Sequence, residues 1–478
     1  MNITQKIIQF EWIRLKKSGL FKSLIVVLIL FLTAAFYTGV RHSEFRKNSI
    51  EFIKDKEQKS HSEFKNVVAE LEKKNEEFKG NGHRDPSSPL GAANSTGNRT
   101  FYLPPTDLSF INIGESDVKP NYYRLGLYKK TTLFHTAEIE NASVLYNGHF
   151  DIGFVLVFIL PLLVIAITYN IASFDKEHGT MGLLLSGSTS FKQIVTARFL
   201  FRGLVLYFST ILLLIIGIAV TGIFSAFFTL QFWILLLIIA LYIAFWCAVS
   251  LWVNSYQKSS SFNASILASL WLILVVLLPG FIKEFSTKIH PMPSKIALIA
   301  ERREVADSIR NKSNEALNQF MEDHPDLVPN PNADKRIKNA IDRFSVDVAV
   351  NEKMKPMEDQ FERQLENQET TIEHYRFLSP AVMMQKMVDY LSGNSKERYS
   401  EFTSQLNDFR EQYRTFFAKK IFEAEKFKST DYDQIPKAHF VEKNIDSSRF
   451  IFNILFLVVL SGILCYVALG KINRLKME

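Results

Sequence analysis

Residues 152–190 read IGFVLVFILPLLVIAITYNIASFDKEHGTMGLLLSGSTS. The first part is apolar for longer than the roughly 18 residues a helix needs to cross a bilayer core. It ends in three charges, a Gly-Thr pair and a run of leucines, and a second apolar stretch comes after it. A chain that satisfies its own backbone in lipid crosses it as helices. Residues 173–190 therefore read as a bend between two membrane-spanning helices.

Working outward, five more apolar stretches appear. With the one above, the set is Ser23–Val40, Ile152–Phe174, Phe199–Ile223, Phe227–Val253, Ala264–Ile282 and Phe450–Gly470. The expected fold is an all-α polytopic membrane protein with six spans (23–40, 151–174, 199–223, 227–253, 264–282 and 449–470). The long segments 41–150 and 283–448 are expected to be extracytoplasmic and mostly helical. The first span reads as a signal anchor, because a long charged stretch precedes it and no small-residue cleavage site comes after it.

Orientation is read from basic residues beside the spans. Lys6, Arg14, Lys16, Lys17 and Lys22 precede the first span, against one acid, Glu11. Lys176, Lys192, Arg198 and Arg202 flank the 175–198 bend, Lys258 lies between spans four and five, and Lys471, Arg474 and Lys476 come after the sixth. With six spans, all of these fall on one side. Both termini (1–22 and 471–478) are then expected in the cytoplasm. The formal net charge of +7 is thus a topological signal, favourable to anionic lipid and no argument for nucleic acid.

Residues 4–18 mix apolar and basic side chains around Trp12, as an amphipathic helix lying in the membrane interface does. Residues 43–79 carry apolar residues mostly at spacings of three, four and seven, the pattern of an amphipathic helix that extends the first span as a stalk. GNGHRDPSSPLG stops it. Short strands are expected within 100–140. Further on, Ile296–Glu322 and Asp334–Tyr375 read as helices, Ser379 caps a helix with Pro380 at its first position, GNS at 393–395 breaks it, and Glu401–Phe427 holds another.

No GxxxxGK[ST] phosphate loop, dinucleotide fingerprint, HExxH or nucleophile elbow occurs. The expectation is therefore no catalytic residue, no metal site and no cofactor on this chain. Cys247 and Cys465 both fall in spans, and neither has metal-ligand spacing. Charges are sparse inside the spans, which argues against an ion-driven carrier. Thr168, Asn170, Ser209, Thr210 and Asn263 are the uncharged polar groups there. They either hydrogen-bond between helices or line a substrate path.

Within the bend, Ser173 or Asp175 is expected to cap a short surface helix, with Asp175 and Glu177 in its first turn. Met181, Leu184 and Leu185 would form its apolar side, Ser186-Gly187 would end it, and Ser190 would cap the next helix. Such a helix either dips its leucines into lipid or docks a partner. Glu177-x-Gly179-Thr180 followed by Leu183-Leu184-Leu185 resembles the coupling segment of type 2 ABC-transporter permeases, the ABC-2 membrane family. In that family a Glu-x-Gly-Thr-x-x-x-Leu-Leu pattern lies between spans two and three. A small-residue turn comes next, then an amphipathic stretch ending in a basic residue. Arg198 takes that basic position, and Ser188 stands where the family often has proline.

The two long inserts are similar to those of a subset of the family. The resemblance implies a permease subunit whose ATP and magnesium sit on a separate ATPase subunit, docked on Met181, Leu184 and Leu185. It also implies a dimer, with a second copy or a paired permease. The sparse cysteines point to a bacterial inner membrane. The competing reading is a membrane sensor or scaffold whose outer helices bind a partner and signal inward.

Overall fold

The computed structural model describes residues 3–128, 150–182, 190–443 and 448–474. Six of its helices are long and apolar enough to cross a membrane, and the chain is an integral membrane protein. An N-terminal helix α1 (Ile3–Lys17) precedes α2 (Gly19–Lys74), which carries the first span. The other five are α3 (Ile152–Glu177), α4 (Phe191–Thr221), α5 (Leu230–Asn254), α6 (Ser260–Ile289) and, at the end of the chain, the helix Ser448–Arg474.

The first span and the stalk are one helix of 56 residues. It starts four residues before the apolar run, because Ser18 accepts a hydrogen bond from the Phe21 amide. It ends at Asn75, whose left-handed backbone (φ 49°) lets its own amide donate to the Glu72 carbonyl and the Glu76 amide donate to the Leu71 carbonyl. At 1.5 Å per residue such a helix is about 80 Å long, nearly three times the hydrocarbon core.

Two spans contain π turns, Val155–Ile159 in α3 and Leu272–Leu277 in α6, each followed within two residues by a proline. Proline lacks an amide, so Pro161 leaves the Val157 carbonyl without its helical donor. The buried Tyr242 hydroxyl donates to that carbonyl at 3.0 Å. Within the second π turn, Ser379 Oγ donates to Leu274 O, five residues before Pro279, at 2.6 Å.

The polar half of the chain adds α7 (Lys295–Arg310), α8 (Ser313–Asp323), α9 (Lys335–Tyr375), α10 (Pro380–Leu391) and α11 (Lys396–Phe422), so the final apolar helix is α12. The expected helix 296–322 is two helices, because the backbone leaves helical geometry at Lys312 (φ −120°, ψ 35°). The helix expected to begin at 401 begins at Lys396, because Ser395 accepts from the Arg398 amide. Ser379 caps α10 with Pro380 at its first position, as read from the sequence.

The strands are β1 (Thr100–Tyr102) and β2 (Tyr122–Arg124), antiparallel with Phe101 opposite Tyr123. Phe101 and Tyr123 stack on Phe402 of α11, and Phe101 also stacks on Phe409. A second aromatic cluster joins Phe320, Phe344, Phe417, Phe422, Phe427 and Tyr432, with Val68 at the far end of α2 among them. The part of 100–140 beyond Tyr128 lies outside the described residues.

A polar knot joins the two halves. Asp151 caps α3 by accepting from the Phe154 amide at 2.8 Å, and its other oxygen accepts from the Ile113 amide at 2.7 Å. Next to it, Asn112 and Gln385 donate to Asp389 of α10. Burial pushes the Asp389 carboxyl up to about 7, against the lowering effect of the Gln385 hydrogen bond and of Lys386. A carboxyl raised above its unfolded value stabilises the fold while protonated, and loses that contribution as pH rises through the folded pKa. We expect the melting temperature to fall as pH rises from about 4 to about 7, and Asp389→Asn to flatten that dependence. Equal slopes in both proteins would contradict it.

Candidate functional site

The bend starts from a break in α3. Regular helix ends at Thr168 and resumes over Ser173–Glu177. Around the break four carbonyls each accept from a side chain of another span. Arg202 Nη1 of α4 donates to Ile167 O. Asn254 Nδ2 of α5 donates to Thr168 O at 3.3 Å, and Asn263 Nδ2 of α6 donates to Tyr169 O at 3.2 Å. Arg198 Nη1 of α4 donates to Ile171 O at 3.4 Å. Buried backbone carbonyls need partners, and these side chains make the break tolerable within a span.

Ser173–Glu177 then closes the span, and does not open a new surface helix as the sequence reading expects. Ser173 and Asp175 cap nothing: Ser173 Oγ bonds Ser260 Oγ at 2.8 Å, and Asp175 pairs with Arg198. The reason is burial, since both side chains meet polar groups of neighbouring spans instead of a free helix end.

Gly179 and Thr180 stop this segment. Gly179 has φ +71°, its amide donates to Lys176 O at 3.2 Å, and the Thr180 amide donates to Asp175 O at 2.9 Å. Together these two bonds form a Schellman cap, which favours glycine at the left-handed position. Glu177 reaches the start of α6, where its two oxygens accept from the Ser260 amide (2.6 Å) and hydroxyl (2.7 Å). A carboxylate there also faces the positive end of the helix dipole.

Arg198 and Arg202 both pair with Glu11 of α1. Arg198 Nε lies 2.9 Å from Oε1, and Arg202 Nε and Nη2 donate to Oε2 at 3.1 and 2.9 Å. Arg14 adds a longer pair at 3.5 Å, and its guanidinium lies 3.7 Å from the Phe174 ring centre. Glu11, Asp175, Arg198 and Arg202 are all nearly solvent-free.

Met181 packs against the cluster of Ile171, Phe191, Val195, Phe199 and Ile472. Leu184 and Leu185, with all of 183–189, lie outside the described residues. Ser190 caps α4 and forms a reciprocal capping box with Gln193. Asp175, Glu177, Gly179, Thr180 and Arg198 are thus brought together at one end of α3.

The five polar groups of the spans do not converge. Thr168, Ser209 and Thr210 hydrogen-bond to the carbonyls four residues back in their own helices, Val164, Val205 and Leu206. The sequence leaves inter-helix bonding or a substrate path open for these hydroxyls, and back-bonding wins because the acceptor is already in reach. Asn170 is half-buried, while Asn263 alone of the five reaches other spans through its side chain.

Sequence reasoning missed Glu11 as a ligand of the arginines, although it is the single acid before the first span. Asn254, buried among apolar residues of LWVNS, was also passed over.

Residues 295–440, which run from α7 past α11, match a family model described as a domain of unknown function, DUF3526. No curated protein matches the chain. No solved structure matches it.

Proposed function

We propose that the chain is the membrane subunit of an ATP-driven transporter of the ABC-2 kind, with ATP hydrolysis on a separate subunit that docks at the bend. The observation that carries this reading is the anchoring of the bend. Glu177 holds α6, Asp175 holds α4 through Arg198, and Glu11 holds α1 to the same arginines. A push on so small a segment is delivered to three helices at once. The Glu-x-Gly-Thr pattern forms the cap directly before Met181. In this reading the bend and both termini are cytoplasmic, the membrane is a bacterial inner membrane, the two polar segments lie outside, and the permease works as a dimer with a second copy or a paired permease.

Purification of the tagged chain is expected to bring an ATPase subunit with it, and Glu177→Ala or Leu184→Asp is expected to remove most of that subunit while the chain still folds. In the same membranes a cysteine at the exposed Ser400 should label from outside and one at Ser188 only from inside. An ATPase that stays bound to both variants, or a reversed labelling pattern, would sink the proposal.

A second reading has its own support. α2 runs unbroken from the α1 end of the molecule to Val68 in the aromatic core of the polar unit. That unit also holds a cleft of about 1560 Å³ between the end of α2 and α9, lined by Leu71, Arg84, Arg336, Arg343 and Lys426 among others. A rigid rod joined to a cleft suits a sensor or scaffold, or a machine that moves its outer unit without passing a substrate.

A further inference from the structure

The break in α3 has a specific cause. In a continuous helix the Ala172 amide would donate to the Thr168 carbonyl, four residues back. Here the carboxamide of Asn254 is inserted between them. Its Nδ2 donates to Thr168 O at 3.3 Å and its Oδ1 accepts from Ala172 N at 3.3 Å. A side chain inserted into the i→i−4 ladder is a recognised source of sharp helix kinks. Asn254 is otherwise fully used: Nδ2 also donates to Ser250 O at 2.9 Å, and Oδ1 also accepts from Asn263 Nδ2 at 3.4 Å.

We propose that Asn254 makes residues 168–173 a two-state joint, inserted as seen here or withdrawn so that α3 runs straight into Ser173–Glu177. Both states give the carbonyls of Ile167, Thr168, Tyr169 and Ile171 a donor. In the straight form the amides of Ile171, Ala172, Ser173 and Asp175 take the carbonyls of Ile167, Thr168, Tyr169 and Ile171, which Arg202, Asn254, Asn263 and Arg198 now hold. The withdrawn amide has somewhere to go. Asn263 Oδ1 is buried without a hydrogen-bond partner, beside Asn254, and can accept the freed Nδ2 hydrogen. Arg198 and Arg202 keep their carboxylates in either state. Residues with two discrete hydrogen-bonded arrangements are the elements through which a local event is passed on. The joint deepens the reading of the bend as a lever, and rests on it: tilting Ser173–Glu177 moves Glu177 against α6 and Asp175 against α4.

The test uses the full chain in lipid nanodiscs, with Cys247 and Cys465 replaced by alanine and spin labels at Lys176→Cys and Lys258→Cys, both exposed positions. In Asn254→Leu, which cannot bridge the broken bond, the label separation is expected to shift by a few ångströms, on the scale of the ~5 Å rise of one helical turn. The Ala172 amide is expected to exchange with solvent at least tenfold more slowly. The wild-type distance distribution is expected to show the shifted separation as a minor population, a readout that survives if Asn254→Leu fails to fold. A single wild-type population, or a variant with unchanged separation and unchanged exchange, overturns the joint. No nucleotide or partner enters this measurement, so its failure leaves the ATPase reading to its own co-purification test.

Discussion

Glu11→Ala is expected to destabilise the chain by about 3–5 kcal/mol, the usual effect of removing one partner from a buried ion pair. Glu11 is 2 % exposed and is the carboxylate that Arg198 and Arg202 share. Arg198 retains Asp175, but Arg202 has no other carboxylate among its described ion pairs and keeps only the Ile167 carbonyl. A guanidinium in that position has lost its counter-charge at a membrane edge, where water reaches it poorly. The loss should therefore exceed that of Asp175→Ala, which leaves Arg198 still paired with Glu11.

Thermal unfolding in detergent, followed by intrinsic fluorescence, measures the effect. Lys16→Ala, on the exposed side of α1, is expected within about 0.5 kcal/mol of wild type. The double variant Glu11→Ala/Arg202→Leu should recover part of the loss, because the orphaned charge goes with its partner. A Glu11→Ala protein that melts with the wild type would mean that α1 is not fastened to the bend.

How far this site was legible in the sequence depends on the range over which each feature is determined. The spans depend on composition over a window, so all six apolar runs are helices, with ends displaced by caps such as Ser18 and Ser259 that bonding geometry decides. The Gly179-Thr180 stop depends on local backbone chemistry, and the pattern was readable as a short, terminated segment. The break at 168–173 depends on Asn254, Asn263, Arg198 and Arg202, some of them more than 80 residues away. No local pattern in NIASF announces it. Ser173 and Asp175 look like caps because their residue types favour that role, and tertiary partners override the preference. The continuity of α2 through residue 74 was legible because apolar residues return beyond the span mostly at spacings of three, four and seven.

Gly39→Val is expected to have the largest effect of any single change in α2, and to leave little folded protein. Gly39 lies where the apolar part of α2 passes the loop 108–113. A β carbon there would stand 2.0 Å from the Phe110 carbonyl oxygen and 3.1 Å from its carbon. The obstacle is backbone, and that backbone cannot retreat. Phe110 stacks on Phe36 at 5.8 Å, Ser109 bonds Ser43 at 2.6 Å, and Ile111 O and Ile113 N are both bonded to the start of α3. Overpacking of a core by extra methylenes costs about 1–3 kcal/mol when the surroundings can shift. Here the loop and α3 would have to shift together, so even Gly39→Ala should reach the upper end of that range. Gly462 in α12 supplies the control, because nothing lies within 4 Å of a β carbon there. Gly462→Ala is expected to stabilise by up to about 1 kcal/mol, as alanine does over glycine inside a helix. The same chemical change then has opposite signs in two spans of one protein, and yield and melting temperature after size-exclusion chromatography distinguish them. If Gly39→Ala folds as well as Gly462→Ala, the first span does not press on this loop, and α2 loses its fixed bearing between the spans and the polar unit.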